Sequence, residues 1–248
     1  PEDASSASLN SIFSGNNMSY VAATGDSGSQ VLWPSVSPNV LAAGGTSLTY
    51  SSSSPRSETV WSGTGGGISL YTAVPSYQQI SSIPGLSLAM RSVADVSFNA
   101  DPNTGQYLAI IPPAGRLTWY SGGGTSIAAP QWAGIIAVSN AMRANSGKSA
   151  LGQLQPTLYG QVASQPSSYA AAFLDITQGN DGSCTVCSAH TGYDQPSGLG
   201  TPNVSSLLTL TNSAAQPPVL SPITVKGVVG NPLQFTMSVS SVSYTHLR

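Results

Sequence analysis

Charged residues are scarce in this chain. Asp, Glu, Lys and Arg together make up 6% of its 248 residues, whereas about a quarter is usual for a soluble globular protein. The formal net charge is −2, so no basic stripe is available for nucleic-acid phosphates, and nucleic acid is excluded as a partner. Solubility must rest on Ser, Thr, Asn, Gln and Gly. This composition suits an acidic exterior, and it equally suits a low-charge surface adhesin.

Long apolar runs and metal-binding cysteine sets are also lacking. The most apolar stretch, residues 127–138, is interrupted by Pro130 and Gln131 and is too short to span a bilayer. The two cysteines, Cys184 and Cys187, form one C-x2-C pair, and a zinc ribbon would need a second pair. The chain opens at Pro1 with neither Met nor a signal peptide, so we expect a fragment of a longer reading frame.

The hydrophobic pattern predicts an α/β fold. Short continuous apolar runs alternate with Gly-rich turns and a few helical patterns, which favours a parallel sheet with helices on both faces. Catalytic groups in such sheets gather at the carboxyl ends of the strands. The predicted elements are buried strands over residues 19–24 and 39–43, the second ended by Gly44-Gly45, and helices over residues 126–145, with Pro130 in the first turn, and 205–210.

Three segments follow the main domain, which we place at residues 1–212. Residues 213–218 read as a linker, and residues 219–241 alternate like the first strands of a β-sandwich module. Residues 242–248 resemble a translated sequencing adapter, and we expect them to be an artefact.

The strongest local signal is the run GGGTSIAAP over residues 122–130. A Gly-rich turn would present Ser126 at the start of a helix, where free N–H groups and the helix dipole stabilise an anion. Taken alone, Thr125 or Ser126 could simply cap the helix. However, the run GTSIAAP resembles the nucleophile motif that subtilisins share with the sedolisins, the serine–carboxyl peptidases. The resemblance implies a subtilisin-like fold with Ser126 as the nucleophile.

A second position separates these two families. Subtilisins place Asn in the oxyanion hole, whereas sedolisins place Asp there, in a strand-end motif similar to AATGDSG at residues 22–28. The resemblance therefore assigns Asp26 to the oxyanion hole and favours the sedolisins. A carboxyl group donates a hydrogen bond only when protonated, so we expect either an enzyme that works in acid or an Asp26 kept neutral by burial. On its own, Asp26 is equally an ordinary turn residue.

Further resemblance to sedolisins covers most of residues 15–212, including the blocks at residues 61–78 and 95–105. Asp95 and Asp101, in the second block, are interpreted as turn and strand-end hydrogen-bonding residues rather than catalytic ones.

The loops around residues 175–177 and 192–194 resemble the single calcium site of sedolisins. Acids in a Gly-rich loop are otherwise weak evidence for a metal, although calcium does prefer such oxygen ligands. By position, the implied ligands are the carboxylates of Asp175 and Asp194 and the backbone carbonyls of Ile176, His190 and Gly192. Cys184 and Cys187 lie in the same region. In a secreted chain a local disulfide is favoured there over free thiols.

The resemblance implies a secreted, monomeric endopeptidase that hydrolyses protein or peptide substrates at acidic pH through an acyl-enzyme on Ser126. In sedolisins the base is a Glu, oriented by an Asp four residues later, upstream of the oxyanion motif. Upstream of Asp26 this chain has only the adjacent Glu2 and Asp3, so neither role is transferred and the chain alone is expected to be inactive. Two alternatives stay open: a subtilisin-like neutral peptidase, and a non-catalytic, calcium-binding adhesin domain.

Overall fold

The computed structural model describes residues 1–113 and 115–215. The end of the predicted linker, the predicted β-sandwich module and the predicted adapter residues therefore lie outside the described residues. The strands are β1 (Tyr20–Ala23), β2 (Val40–Ser51), β3 (Ser54–Val60), β4 (Gly67–Ala73), β5 (Met90–Val93), β6 (Val96–Asn99), β7 (Gln106–Ile110), β8 (Thr118–Gly122), β9 (Phe173–Leu174) and β10 (Thr201–Pro202). The helices are α1 (Thr125–Asn145), α2 (Gln155–Thr157), which continues as a π-helix over Leu158–Ala163, α3 (Pro166–Ala172) and α4 (Val204–Ser213), with 3-10 turns at Ser6–Phe13, Ser76–Gln78 and Pro102–Thr104.

The central sheet is built around β2. Its first half pairs in parallel with β1 on one side, and its middle pairs in parallel with β6 on the other. Its second half pairs with β3, which runs antiparallel. The α/β class predicted from the sequence is confirmed, with one antiparallel strand added to the predicted parallel pairing.

The prediction that the second strand ends at Gly44-Gly45 was wrong, because β2 continues to Ser51. A Cβ on Gly44 would lie 2.9 Å from the carbonyl oxygen of Pro196, and one on Gly45 would lie 2.7 Å from Cβ of Ala100. Glycine in a strand commonly marks a close approach of neighbouring chain. These two glycines permit tight packing against the sheet rather than a turn.

Helix α1 covers this sheet and contacts β1, β2 and β6. The residues that face the sheet are spaced four apart, and Ala128, Trp132 and Ile136 are buried. The indole Nε1 of Trp132 donates to the carbonyl of Ser97, at 3.1 Å, which satisfies its one polar atom and fixes the helix on β6.

Pro130 lies deeper in α1 than the sequence predicted. Since the helix begins at Thr125, Pro130 is inside it rather than in its first turn. Proline has no backbone N–H, so the carbonyl of Ser126 loses the donor it would have four residues further on. The predicted end of the helix at Asn145 is confirmed.

A polar network lies in the core between β5 and β6. Arg91 and Asp95 are both fully buried and form two N–O contacts of 2.7 Å. Asp95 also accepts from the hydroxyl of Tyr159 and from the amide of Ala42, each at 2.8 Å. Burial acts to lower the pKa of Arg91, but the charge and hydrogen bond of Asp95 together with the nearby Tyr77 and Tyr159 outweigh it, so the pKa is raised. Asp95 is thus a structural residue, as is Asp101, which caps the turn at Pro102–Thr104.

Candidate active site

Asp26 lies just beyond the carboxyl end of β1, the position at which α/β sheets collect functional groups. The chain turns at Gly25, whose φ of +112° favours glycine. Asp26 is exposed. The expected alternative in which burial keeps this carboxyl neutral is therefore not what the structure shows.

Ser126 is the second residue of α1, and its side chain is exposed. The N-cap is Gly124, with φ of +99° and no side-chain capping bond. The alternative that Thr125 or Ser126 merely caps the helix is therefore wrong. A Cβ on Gly124 would lie 2.7 Å from Oδ2 of Asp26, so the glycine lets the carboxyl group approach the start of the helix.

Thr125 connects the two predicted site residues. Its backbone N–H donates to Oδ1 of Asp26 at 2.6 Å, and its hydroxyl donates to the same oxygen at 2.8 Å. The same hydroxyl accepts from the amide of Gly25 at 3.0 Å. These bonds hold the Asp26 carboxyl against the N-terminus of α1, beside the backbone of Ser126. The role of Thr125 as the link between them was not predicted from the sequence, where its signal was its place directly before Ser126.

The Gly-rich segment that begins at Trp61 supports the Asp26 turn from behind. The amide of Gly65 donates to the carbonyl of Gly25 at 2.8 Å. A Cβ on Gly65 would lie only 2.0 Å from the carbonyl oxygen of Thr24, so this contact requires glycine. The geometry of the turn therefore depends on a segment about 40 residues away in sequence.

The carboxylates of Asp175 and Asp194 both accept hydrogen bonds from the loop over residues 190–192. Oδ2 of Asp175 accepts from the amide of Gly192 at 2.9 Å, and Oδ2 of Asp194 accepts from the amide of His190 at 3.1 Å. The hydroxyl of Tyr169 donates to Oδ1 of Asp175 at 3.2 Å. Burial, then the charges of Asp175 and Asp194, raise the pKa of Tyr169. Both predicted carboxylate ligands thus lie in one neighbourhood.

Of the predicted carbonyl ligands, His190 and Gly192 lie in this loop, and Ile176 directly follows Asp175. Within the described part of the chain, no residue donates a hydrogen bond to the carbonyl oxygens of Ile176, His190 or Gly192. Burial raises the pKa of Asp194 to about 6. The donors that these five residues offer are all oxygens, which calcium prefers and a softer metal does not. Across residues 1–113 and 115–215, no three His, Cys, Asp or Glu side chains cluster as a metal site.

Cys184 and Cys187 form a disulfide, which confirms the favoured interpretation of this pair. The wider loop over residues 179–189, called the disulfide loop below, also contains Asp181, which was missed because it looks like a turn residue in a Gly-Asn-Asp-Gly run. Asp181 is 4% exposed, and neither of its carboxylate oxygens has a hydrogen-bond partner among the described residues. Burial raises the pKa of Asp181 to about 7.

No candidate base for Ser126 is found among the described residues: no Glu, Asp or His side chain there hydrogen-bonds to its hydroxyl. Glu2 instead accepts from Ser69 and from the amide of Leu70. Asp3 accepts from the amides of Ser5 and Ser6, at the start of the Ser6–Phe13 turn. Both acids thus bond to nearby backbone amides and hydroxyl groups.

The exposed Ser126 at a helix N-terminus, with the strand-end carboxyl of Asp26 bonded to the preceding residue, matches the arrangement implied by the class that the sequence resembles, the sedolisins of the subtilisin-like fold. Comparison with known proteins supports this class. No protein-family model matches the chain. Kumamolisin of Bacillus sp. (strain MN-32) is 36% identical over 246 residues, covering 87% of this chain and 42% of kumamolisin.

Sedolisin of Pseudomonas sp. (strain 101) is 36% identical over 190 residues, covering 71% of this chain and 30% of sedolisin. The solved structure of Pseudomonas sedolisin, a serine-carboxyl proteinase, matches with a TM-score of 0.66 at 33% identity over 82% of this chain and 59% of that one. The chain belongs to the sedolisin family. It spans less than half the length of these two curated relatives. Within the described residues, no helix is both long and apolar enough to cross a membrane.

Proposed function

We propose that this chain is the nucleophile-bearing part of a secreted serine endopeptidase that cleaves protein or peptide substrates at acidic pH. The observation that carries the proposal is the exposed Ser126 at the start of α1, with the Asp26 carboxyl bonded to Thr125 at 2.6 Å. Its relatives in the sedolisin family support the same activity. The Cys184–Cys187 disulfide supports secretion, because disulfides persist in oxidising compartments.

In this reaction Oγ of Ser126 attacks the carbonyl carbon of the scissile bond and gives its proton to a base. The carbonyl oxygen becomes an oxyanion, which the α1 N-terminus and a protonated Asp26 stabilise. The C–N bond then breaks, the amine leaves with a proton, and water hydrolyses the acyl ester. An ionised Asp26 would repel the oxyanion, and a carboxyl group can donate a hydrogen bond to it only while it carries its proton. That requirement is the physical argument for an acidic optimum.

The described residues do not supply a general base for the hydroxyl of Ser126. Because no described carboxylate or imidazole hydrogen-bonds to the hydroxyl of Ser126, we expect the 248-residue chain alone to be inactive. The Glu and Asp pair that the family resemblance implies would have to come from a longer form of the protein.

The test uses the product of the complete gene, assayed on a denatured protein from about pH 3 to pH 8. Ser126→Ala should abolish hydrolysis, and Asp26→Ala should lower kcat by about 10² to 10³, as loss of one oxyanion donor does. Asp26→Asn should retain activity and extend it towards neutral pH, because an amide donates at any pH. Hydrolysis that survives Ser126→Ala would contradict the proposal, as would an Asp26→Asn profile identical to that of the wild type.

We also infer that one calcium ion binds the loops that contain Asp175 and Asp194, with the carbonyls of Ile176, His190 and Gly192 completing its shell. Bound calcium would supply rigidity to these loops and no chemical step. At a concentration 100 times its Kd, calcium should stabilise the chain by about 2.7 kcal/mol, which is a Tm increase of about 5 to 11 °C for a chain of this size.

Asp194→Asn should remove the calcium-dependent part of Tm, whereas Asp3→Asn, a change in an acid bonded only to its own turn, should leave it intact. Scanning calorimetry with and without a chelator measures both. An unchanged calcium effect in Asp194→Asn would show that the ion does not bind here.

A further inference from the structure

Asp181 is a buried acid that the proposed mechanism does not use. It lies in the disulfide loop, and its own amide donates to the carbonyl of Cys187 at 3.0 Å. It is 4% exposed and neither of its oxygens has a hydrogen-bond partner among the described residues, so burial acts against its ionised form, and its own backbone amide offsets only part of that cost. A neutral carboxyl group is far cheaper to bury in such a place.

The segments around Asp181 connect it to the active site. Its backbone carbonyl accepts from the amide of Ser29 at 2.9 Å. A Cβ on Gly28 would lie 2.8 Å from the same carbonyl oxygen. Gly28 and Ser29 close the turn that carries Asp26, so Asp181 contacts the turn of the predicted oxyanion residue directly.

The side chain of Asp181 reaches the other support of that turn. A Cβ on Gly66 would lie 2.7 Å from Oδ2 of Asp181. The neighbouring Gly65 donates to Gly25, and the amide of Gly28 donates to the carbonyl of Gly63 at 3.0 Å. Asp181 therefore lies where the Asp26 turn, the Gly-rich segment and the disulfide loop meet.

Among the described residues, no charged group around this junction stabilises the ionised carboxylate of Asp181. The residue 194–196 segment contributes Asp194, whose negative charge acts against ionisation of Asp181. The turn contributes Asp26, whose carboxyl is bonded to Thr125. The Gly-rich segment over residues 63–67 contains no titratable residue, and the two cysteines are joined in the disulfide.

We propose that Asp181 is a positioning residue that acts as a neutral acid, holding the Asp26 turn against the Gly-rich segment in acid and releasing it when the carboxyl loses its proton to solvent. Asp181 thereby limits activity at the alkaline side of the profile. This consequence for activity rests on the proposed peptidase function, whereas the release of the turn does not.

The sign of the effect follows from the pKa. Burial raises the pKa of Asp181 in the folded protein from 3.8 to about 7. A group with a raised folded-state pKa stabilises the fold fully below its unfolded pKa, and that stabilisation is lost as the pH rises through the folded value. The junction should therefore be tight at about pH 4 and loosen progressively towards about pH 7 and above.

The test measures amide hydrogen exchange in the 248-residue chain, with calcium present throughout so that the Asp194 loop stays in one state. The reporting amides are Gly28, Ser29 and Gly65, whose acceptors lie across the junction. After correction for the intrinsic rate, their protection in the wild type should fall by at least about tenfold between pH 5 and pH 8. In Asp181→Asn the protection should be the same at both values, and Asp3→Asn should behave as the wild type.

The proposal would be overturned if amide protection in the wild type did not fall between pH 5 and pH 8. It would also be overturned if protection fell equally in Asp181→Asn. If Asp181→Asn does not fold, Asp181→Ser replaces it, and a carbon-13 NMR titration of the wild-type Asp181 carboxyl decides directly. A midpoint near the ordinary value of about 4 would overturn the proposal, and one near 7 would support it. These measurements need no catalysis, so they separate a failure of this proposal from a failure of the peptidase proposal.

Discussion

Removal of Arg91 should destabilise the fold more than the loss of any surface charge. Arg91 and Asp95 are both fully buried, and their two N–O contacts are 2.7 Å long. Arg91→Met keeps most of the side-chain length but leaves Asp95 as a buried negative charge without a cation. Removing one partner of a buried ion pair typically costs about 3 to 5 kcal/mol.

The loss in the free energy of unfolding should lie within that range rather than above it, because Asp95 keeps its hydrogen bonds from Tyr159 and Ala42, each 2.8 Å long. For a chain of this size, the corresponding decrease in Tm is about 6 to 20 °C. Urea unfolding followed by circular dichroism measures the free energy, and calorimetry measures Tm. Arg116→Met is the matched control. Arg116 is exposed, and its substitution should change the free energy of unfolding by no more than about 0.5 kcal/mol.

A loss below about 1 kcal/mol in Arg91→Met would refute this reasoning, because it would mean that Asp95 is satisfied by its neutral donors alone. A loss of the same size in Arg116→Met would show that the assay reports net charge rather than the buried pair.

Two further predictions concern the glycines and the disulfide around the site. Gly65→Ala would place a Cβ 2.0 Å from the carbonyl oxygen of Thr24 and should cost about 1 to 3 kcal/mol, whereas Gly134→Ala, whose Cβ meets nothing within 4 Å, should be neutral or stabilising in the same urea titration. A Gly65→Ala chain as stable as the wild type would mean that the turn moves freely. Reduction of the Cys184–Cys187 disulfide, three residues apart, should lower the free energy of unfolding by no more than about 2 kcal/mol, since the closed loop is so short. A larger loss in denaturant titrations with and without reductant would contradict the entropic account.

The sequence was informative where one local pattern decides the structure. Helix α1 was predicted over residues 126–145 and is observed over Thr125–Asn145, because its apolar residues repeat at helical spacing over five turns. The position of Asp26 at a strand end followed from a short buried run and a Gly-rich turn. Ser126 and Asp26 were named as partners by motif, and the structure brings them to the same helix terminus.

Contacts between distant segments were not predictable in this way. Gly44 and Gly45 looked like a turn, but they pack against Pro196 and Ala100, which no local pattern reveals. Asp181 looked like a turn residue in its local sequence. Its burial could not be predicted, because the residues that surround it, Gly66 and residues 195–196, are far from it in sequence. Pro130 was placed in the first turn of the helix, but it is the sixth residue of α1 and so lies in the second turn.

The bond between Asp26 and Thr125 joins residues 99 positions apart. Closing so long a loop costs chain entropy that local contacts do not offset, and contacts of high sequence separation are associated with slow folding. The site therefore cannot preassemble in an otherwise unfolded chain, since its two halves meet only when β1, β2 and α1 have docked. During synthesis the Asp26 turn leaves the ribosome about 100 residues before its helix, and the chain acquires its candidate catalytic geometry only late in folding.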